Sequence, residues 1–182
     1  LKSSHCDRVL TVTMTGLQPA LGAGFGCGTI VGMDSLRPRR SVLFMPGANA
    51  RALEKARSID CDGIIIDLED AVAPDLKVEA RERAAGVVKE HPYGYREVAI
   101  RVNGMDTQWY HDDLAAAVAA GPDAIAVPKV GSAEHVHAIV ADMEAAGADE
   151  SVKLWAMIET PRAVLDCLDI AEASDRLTVL IM

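Results

Sequence analysis

Clustered positive charge is missing from this sequence. Its 18 lysines and arginines are outnumbered by 27 aspartates and glutamates, which gives a formal net charge of −9. The basic residues are scattered along the chain, as at Arg51, Lys77 and Lys89. Nucleic acids and anionic membranes are bound through basic patches. We therefore expect neither nucleic acid nor a membrane among the partners.

Cysteine pairs and long apolar runs are also missing. The four cysteines stand far apart and form no C-x-x-C pair: Cys6, Cys27, Cys61 and Cys167. This usage predicts a reducing, cytoplasmic location. No run approaches the roughly 18 apolar residues of a membrane span, and the N-terminal segment lacks the pattern of a secretory signal. Half of the 182 residues are hydrophobic, which is enough to bury a sizeable core.

Residues 1–36 differ in composition from the rest of the chain. Charged residues nearly vanish between Arg8 and Asp34, and glycine is dense from Gly22 to Gly32. We interpret this stretch as a leader or tag-like segment that is poorly ordered, and residues 37–182 as the folded domain. Its GAGFGCG motif neither follows a clear strand nor precedes a helical pattern, which argues against a phosphate-binding loop.

From Arg40 onward, short apolar segments typical of strands alternate with helical patterns. Six strands are predicted: SVLFM at 41–45, GIIID at 63–67, EVAIRV at 97–102, AIAVP at 124–128, KLWAMI at 153–158 and LTVLIM at 177–182. Asn49, Ser132 and Thr160 are placed to begin helices, and Gly121 and Gly147 to end them. Apolar strands separated by helices predict a parallel sheet, either closed as a barrel or open and doubly wound.

Polar and special residues follow the C-terminal ends of the first five predicted strands. They are Pro46-Gly47, then Asp67, Glu69 and Asp70, then Arg101 and Asn103, then Lys129, then Glu159. In a (β/α)8 barrel these strand ends meet at one rim. The first turn, PGANAR, lacks the G-x-G-x-x-G of a dinucleotide-binding open sheet. We therefore predict a (β/α)8 (TIM) barrel truncated after about strand six, since a complete barrel takes about 250 residues.

Five motifs carry a family resemblance: RSVLFMPGANARALEKA, GIIIDLEDAVAPDLKVEAR, AIRVNGMDTQWYHDDL, AIAVPKVGSAEHV and AMIETPRAVLD. From about Arg40 to its end the chain resembles the citrate lyase β-subunit or HpcH/HpaI aldolase family, which includes malyl-CoA, citramalyl-CoA and citryl-CoA lyases. The resemblance implies a Mg²⁺-dependent lyase that splits a 3-hydroxyacyl-CoA into a 2-oxo acid or glyoxylate and an acyl-CoA. Some relatives instead hydrolyse the thioester.

The resemblance implies that Glu159 is a Mg²⁺ ligand. The family's second ligand is an aspartate just after strand six, in a G-x-x-D-like segment that would come after Met182. Mg²⁺ prefers oxygen ligands and usually takes one or two protein carboxylates, so a single carboxylate should bind it weakly. The chain by itself is therefore expected to be inactive. The alternative for Glu159 is a rim carboxylate that caps the helix after Thr160.

The resemblance assigns catalytic roles to Arg101, Glu69 and Asp70. Arg101 is expected to hold a carboxylate or the developing enolate through two parallel hydrogen bonds. A structural ion pair with Glu69 or Asp70 is the alternative, and both readings can hold together. Glu69 and Asp70 are expected near the metal's water shell or as proton-transfer groups. Asp67 is expected to brace the barrel.

Four further residues are predicted to bind the substrate. Lys129 would supply positive charge, Phe44 would wall the acyl pocket, and Pro46 and Gly47 would shape the rim. The alternatives are a surface lysine and an ordinary core phenylalanine. An unpaired sheet edge at strand six predicts self-association, so an acyl-CoA substrate and a homo-oligomer are the expected partners. An acyl-CoA thioesterase and an inactive, self-associating barrel fragment are the alternative functions.

Overall fold

The strands of the sheet follow one another in chain order. A computed structural model describes residues 11–12, 39–90 and 92–182. The strands are β1 (Thr11–Val12), β2 (Val42–Pro46), β3 (Gly63–Asp67), β4 (Glu97–Arg101), β5 (Ala124–Val127), β6 (Lys153–Met157) and β7 (Leu177–Ile181). The six predicted strands are β2 to β7, and each is parallel to its neighbour. The spatial order is β1-β7-β6-β5-β4-β3-β2.

Helices connect the parallel strands. They are α1 (Ala50–Ala56), α2 (Lys77–Lys89, after a 3₁₀ turn at Pro74–Leu76), α3 (Tyr110–Ala120), α4 (Ala133–Ala145), α5 (Pro161–Leu165) and α6 (Cys167–Glu172). The side chains of Asn49, Ser132 and Thr160 accept hydrogen bonds from the first turns of α1, α4 and α5, as predicted. Gly121 ends α3 with a φ of 68°, a conformation that glycine adopts without steric cost. In the described ranges, every helix falls short of the length and apolarity that crossing a bilayer requires.

This topology confirms the predicted fold class. A doubly wound sheet reverses its strand order at a switch point, whereas β2 to β7 lie in strict sequence with helices between them. That is the arrangement of a (β/α)8-type protein, present here as six parallel strands. The helix that Thr160 begins is short, because Asp166 separates α5 from α6.

The edge of the sheet at β7 differs from the prediction. Thr11 and Val12 pair antiparallel with Ile181 and Leu180, so the edge that we expected to be unpaired is covered over these positions. The pairing uses two residues of the segment interpreted as a leader. The other residues of 1–36 lie outside the described ones, and their interpretation stays a prediction.

The alternation of side chains along each strand divides the apolar residues into two layers. Ile64, Ile66 and Leu154 belong to a large cluster that packs against the helices. The opposite face carries a smaller cluster of Val42, Ile65, Ala99, Ala124, Ala126, Trp155, Met157, Val179 and Ile181. Charged pairs bound this inner layer. At the C-terminal ends of the strands, the register places Asp67 directly beside Arg101, which positions the candidate site.

Candidate active site

Asp67 and Arg101 form a buried, two-fold hydrogen-bonded ion pair. The Nε and Nη2 atoms of Arg101 each donate to one oxygen of Asp67, both at 2.7 Å. The backbone N–H groups of Glu69 and Ala71 donate to the same two oxygens at 2.8 and 3.0 Å. Asp67 therefore joins β3, β4 and the loop after β3. This geometry supports the predicted bracing role of Asp67.

Arg101 has one nitrogen that does not bond Asp67. Nη1 lies 3.1 Å from Glu69 Oε2, 3.7 Å from Asp70 Oδ2 and 4.0 Å from the sulfur of Met157. Asp67 uses the N–H of Nε and one of the two N–H groups of Nη2, so Nη1 and the second N–H of Nη2 remain for a substrate, and the expected grip through two parallel bonds stays a prediction. The guanidinium lies 5.0 Å from the centre of the Phe44 ring, a distance typical of a cation–π contact. Arg101 is therefore held by Asp67 through one side of its guanidinium, and its Nη1 faces Glu69.

Glu69 is a buried carboxylate between two cations. Its side chain is 8% exposed, and Lys129 Nζ donates to its Oε1 at 3.1 Å. The approach of Arg101 Nη1 to Oε2 lacks hydrogen-bond geometry, so this buried oxygen has no donor. Burial raises the pKa of Glu69, against the lowering effects of the Lys129 hydrogen bond and the Arg101 charge. Such a group is suited to hold or release a proton.

Lys129 connects two of the predicted site carboxylates. Its backbone N–H donates to Glu159 Oε2 at 2.8 Å, while its ammonium bonds Glu69. Its φ of 57° lies in the left-handed region, which costs a non-glycine residue about 1–2 kcal/mol. The Glu69 carboxylate raises the pKa of Lys129 by hydrogen bonding and by its charge. Lys129 therefore belongs to the cluster and is not an isolated surface lysine.

Glu159 lies just beyond the C-terminal end of β6 and is exposed. The alternative that it caps the following helix is wrong, because Thr160 Oγ1 accepts the hydrogen bond from Ala163 N at 3.1 Å. The structure thus brings Glu69, Arg101, Lys129 and Glu159 to one rim. Asp70 is at the same rim with a side chain that is 78% exposed.

Gly47 and Pro46 contribute through the backbone. The N–H of Gly47 donates to Asp67 O at 2.8 Å, and a Cβ atom at this position would lie 2.9 Å from Leu68 Cδ2 and 3.0 Å from Asp67 O. The glycine therefore lets β2 approach the end of β3. Pro46 pairs with Asp67 in the register of the sheet. Contact of either residue with a substrate stays a prediction.

Sequence reasoning missed a buried lysine beneath the site. Lys77 begins α2 and is 5% exposed, and its ammonium bonds the carbonyl oxygens of Leu68 and Glu69 and the side chain of Asn103. The signal was its position on the buried face of α2, three residues before Ala80. A lysine on such a face must find partners, because unpaired buried charge is costly.

The donor set at the rim fits Mg²⁺ in part. Mg²⁺ binds oxygen and needs one or two protein carboxylates, the rest of its shell being water or substrate. Lys129 bonds Oε1 of Glu69, whose buried Oε2 has no donor, and also bonds the exposed carboxylate of Glu159. Among the residues described, no three potential ligands of the His, Cys, Asp or Glu type converge. Glu159 is thus the described residue that would hold the ion, and Glu69 lies on the other side of Lys129.

The structure places a buried carboxylate, a clamped arginine and a lysine at the C-terminal rim of a (β/α)8-type sheet, which is where enzymes of this fold carry their active sites. Residues 40–182 match the family described as HpcH/HpaI aldolase/citrate lyase, and the chain belongs to it. The resemblance inferred from the sequence is therefore confirmed.

Several relatives are described individually. A (3S)-malyl-CoA thioesterase of Cereibacter sphaeroides is 48% identical over 145 residues, which are 80% of this chain and 48% of the relative. A citrate lyase subunit beta of Leuconostoc mesenteroides subsp. cremoris is 35% identical over 150 residues, 80% of this chain and 50% of the relative. The chain thus spans about half the length of these curated relatives.

One similar solved structure is the protein CitE of Mycobacterium tuberculosis in complex with magnesium, acetoacetate and coenzyme A. It superposes with a TM-score of 0.57 at 26% sequence identity, over 76% of this chain and 46% of that one. The family is therefore enzymatic, and this structural neighbour was solved with magnesium and coenzyme A bound.

Proposed function

We propose that the protein is a Mg²⁺-dependent lyase that cleaves the carbon–carbon bond of a 3-hydroxyacyl-CoA such as malyl-, citramalyl- or citryl-CoA. The products would be a 2-oxo acid or glyoxylate and an acyl-CoA. The observation that carries the proposal is the buried Glu69 carboxylate, held between Arg101 Nη1 and Lys129 Nζ at the rim. This cluster combines a proton acceptor with cations that can stabilise developing negative charge.

The cations give the site its preference for an anionic substrate. Lys129, whose side chain is 57% exposed, can reach a substrate carboxylate, and Arg101 Nη1 can donate one hydrogen bond to the thioester oxygen. Because Asp67 holds Nε and Nη2, this donor is fixed before the substrate binds. A preorganised donor needs no reorganisation when charge develops on the oxygen. Phe44 lies against the guanidinium and would form an apolar wall beside the acyl group.

Glu69 would transfer the proton of the reaction. Its carboxylate accepts the proton of the substrate's 3-hydroxyl group, the bond between C2 and C3 breaks, and the hydroxyl carbon becomes the carbonyl of the oxo acid. The electron pair of the broken bond moves into the thioester enolate, and the proton is then delivered to C2. When bound, Mg²⁺ supplies Lewis-acid polarisation of the substrate's carboxylate and hydroxyl oxygens. Glu159 would hold it, and Glu69 and Asp70 would contact it through water.

A thioesterase activity is the second candidate. The (3S)-malyl-CoA thioesterase that shares 48% identity with this chain is the observation that favours it. In that reaction Glu69 would take a proton from water, and the resulting hydroxide would attack the thioester carbonyl. The carbon–sulfur bond would then break, and Glu69 would return the proton to the sulfur so that coenzyme A leaves as the thiol. The same cations would stabilise the anion at the carbonyl oxygen.

Product analysis separates the two candidates. Malyl-CoA and Mg²⁺ are incubated with the 182-residue chain, glyoxylate is trapped as its phenylhydrazone, and free thiol is measured with a disulfide reagent. A lyase yields glyoxylate and acetyl-CoA without free thiol, whereas a thioesterase yields free coenzyme A and malate. Consumption of malyl-CoA with neither pattern would contradict the proposal, whereas no consumption at all would match the expectation that the chain by itself is inactive.

Variants connect the activity to the cluster. Glu69→Gln should lower kcat by roughly 100-fold or more, since it removes the proton acceptor while preserving shape. Arg101→Lys should also lower kcat, because a lysine ammonium has a single nitrogen and cannot bond both oxygens of Asp67 and also donate to the substrate. Glu82→Gln, an exposed position of α2, is the matched control and should retain wild-type kinetics. Equal activity of Glu69→Gln and the control would rule out the role of Glu69.

Homo-oligomer formation is proposed as well. Thr11 and Val12 cover β7 only at Ile181 and Leu180, which leaves the first half of this strand without a described partner on that side. An open strand edge favours pairing with another chain. Size-exclusion chromatography with light scattering should show a mass above the 19.3 kDa of one chain, and a concentration-independent monomer would contradict this.

A further inference from the structure

The ammonium group of Lys77 is enclosed by three oxygen acceptors behind the candidate site. It donates to Leu68 O at 2.7 Å, to Glu69 O at 2.6 Å and to Asn103 Oδ1 at 2.7 Å. An ammonium has three N–H donors, so all of them are used. The group also lies 5.3 Å from the centre of the Trp109 ring. Burial lowers the pKa of Lys77, while the charges of Asp67 and Asp113 oppose this effect.

A second layer of polar contacts holds the acceptors. Asn103 Nδ2 donates to Leu68 O at 3.0 Å and to Asp113 Oδ2 at 2.5 Å, and its backbone N–H donates to the same carboxylate oxygen. Arg81 Nε bonds the other oxygen of Asp113 at 2.6 Å. Asp113 is fully buried, and the chain from Arg81 to Lys77 therefore runs from the helix surface to the base of the β3 loop.

The two peptide groups tied by Lys77 are those that orient Glu69. The N–H of Leu68 donates to Arg101 O, and the N–H of Glu69 donates to Asp67 Oδ1. Lys77 holds the carbonyl oxygens of the same two residues. Both residues are thus clamped at their N–H and at their C=O. The direction in which the Glu69 side chain leaves the strand follows from this clamp.

We infer that Lys77 is a positioning residue, whose ammonium fixes the backbone of Leu68 and Glu69 so that the Glu69 carboxylate stays between Arg101 and Lys129. This inference rests on the proposed role of Glu69. Lys77 does not touch the substrate: its three donors are occupied within the protein, and it is buried beneath the loop. Asn103 and Asp113 are part of the same support.

Replacement of Lys77 by methionine tests the inference without relying on activity. Lys77→Met keeps the length of the side chain and removes one donor each from Leu68 O, Glu69 O and Asn103 Oδ1, while Leu68 O keeps Asn103 Nδ2 and Glu69 O keeps the N–H of Val72. Amide hydrogen exchange of the full chain is followed at Glu69, Ala71 and Val72, whose N–H groups are all hydrogen-bonded within the loop. We expect these amides to exchange roughly tenfold faster or more than in the wild type. Val130, bonded to Met157 O at the same rim, should change far less.

Arg96→Met is the matched control. Arg96 also ties backbone carbonyl oxygens, those of Ile59 and Tyr93, but at the N-terminal end of the strands. It should lower the free energy of unfolding without accelerating exchange at Glu69, Ala71 and Val72. If Lys77→Met does not fold, Lys77→Gln retains a shorter donor, and its exchange should fall between those of the wild type and a released loop.

The outcomes for Lys77 and for the proposed function are distinguishable. Wild-type exchange at the three loop amides in Lys77→Met, or equal acceleration at Val130, would overturn the positioning role whatever the enzyme does. A wild type that consumes malyl-CoA with neither product pattern would overturn the proposed function and leave the exchange result to decide on Lys77. Where the wild type is active, kcat of Lys77→Met should fall roughly tenfold or more with KM nearly constant, because orientation of Glu69 is lost and binding groups remain.

Discussion

Replacement of Asp67 by asparagine should destabilise the protein more than its small change in shape suggests. Asp67 is 1% exposed and accepts four hydrogen bonds, two from Arg101 and one each from the N–H groups of Glu69 and Ala71. Asparagine keeps one oxygen, but its NH₂ group then faces two donors, and the guanidinium loses its strongest partner. Breaking a buried ion pair costs about 3–5 kcal/mol. We expect about 3 kcal/mol, because Glu69 Oε2 remains 3.1 Å from Arg101 Nη1.

The measurement is urea unfolding of the full chain at pH 7, monitored by far-UV circular dichroism. A double-mutant cycle with Arg101→Met should give a coupling energy of about 2 kcal/mol or more, since either single variant leaves the other charge of the buried pair without its counterion. Glu79→Gln is the control: Glu79 pairs with Arg83 on the surface of α2, and such exposed pairs contribute only about 0.3–0.5 kcal/mol. A loss below about 1 kcal/mol for Asp67→Asn, or additive single variants, would refute the bracing role of this ion pair.

Three further predictions concern the support of the rim and the sheet. Gly47→Ala should lower the free energy of unfolding by about 1–3 kcal/mol, because its Cβ atom would lie 2.9 Å from Leu68 Cδ2; urea unfolding equal to that of the wild type would contradict this close contact. Asn49→Ala should cost about 1 kcal/mol through loss of the helix cap, and Asn49→Gly much less; equal losses would exclude capping as the cause. Hydrogen bonds from Arg40 lower the pKa of Asp62 to about 2 from 3.8, so its carboxylate contributes stability above about pH 4 that is lost as the pH falls towards 2. Asp62→Asn should therefore be about 1 kcal/mol less stable at pH 7 and approach the wild type near pH 2, and a gap independent of pH would disprove this.

Local chemistry made much of the fold predictable. Side chains that accept hydrogen bonds from the first helical turn act within three residues, so Asn49, Ser132 and Thr160 could be identified without any tertiary information. Continuous apolar strands separated by helices predicted the parallel sheet, and polar residues after successive strands predicted the rim. The partial cover of β7 by Thr11 and Val12 was not predictable, because edge pairing depends on chain direction over a long separation.

The amino-acid sequence by itself determined the succession of strands and helices, the family, and the rim at which the candidate residues meet. Only the tertiary structure decided which partners each of those residues bonds, and therefore which groups stay available to a substrate. Asp67 and Arg101 are 34 positions apart, and the parallel register brings them side by side, which leaves Nη1 as the one guanidinium nitrogen that Asp67 does not occupy. Lys77 and Asn103, 26 positions apart, likewise meet only after α2 packs on the sheet. The physical reason is that a hydrogen bond depends on distances of about 3 Å, and packing alone sets such distances between remote parts of a chain.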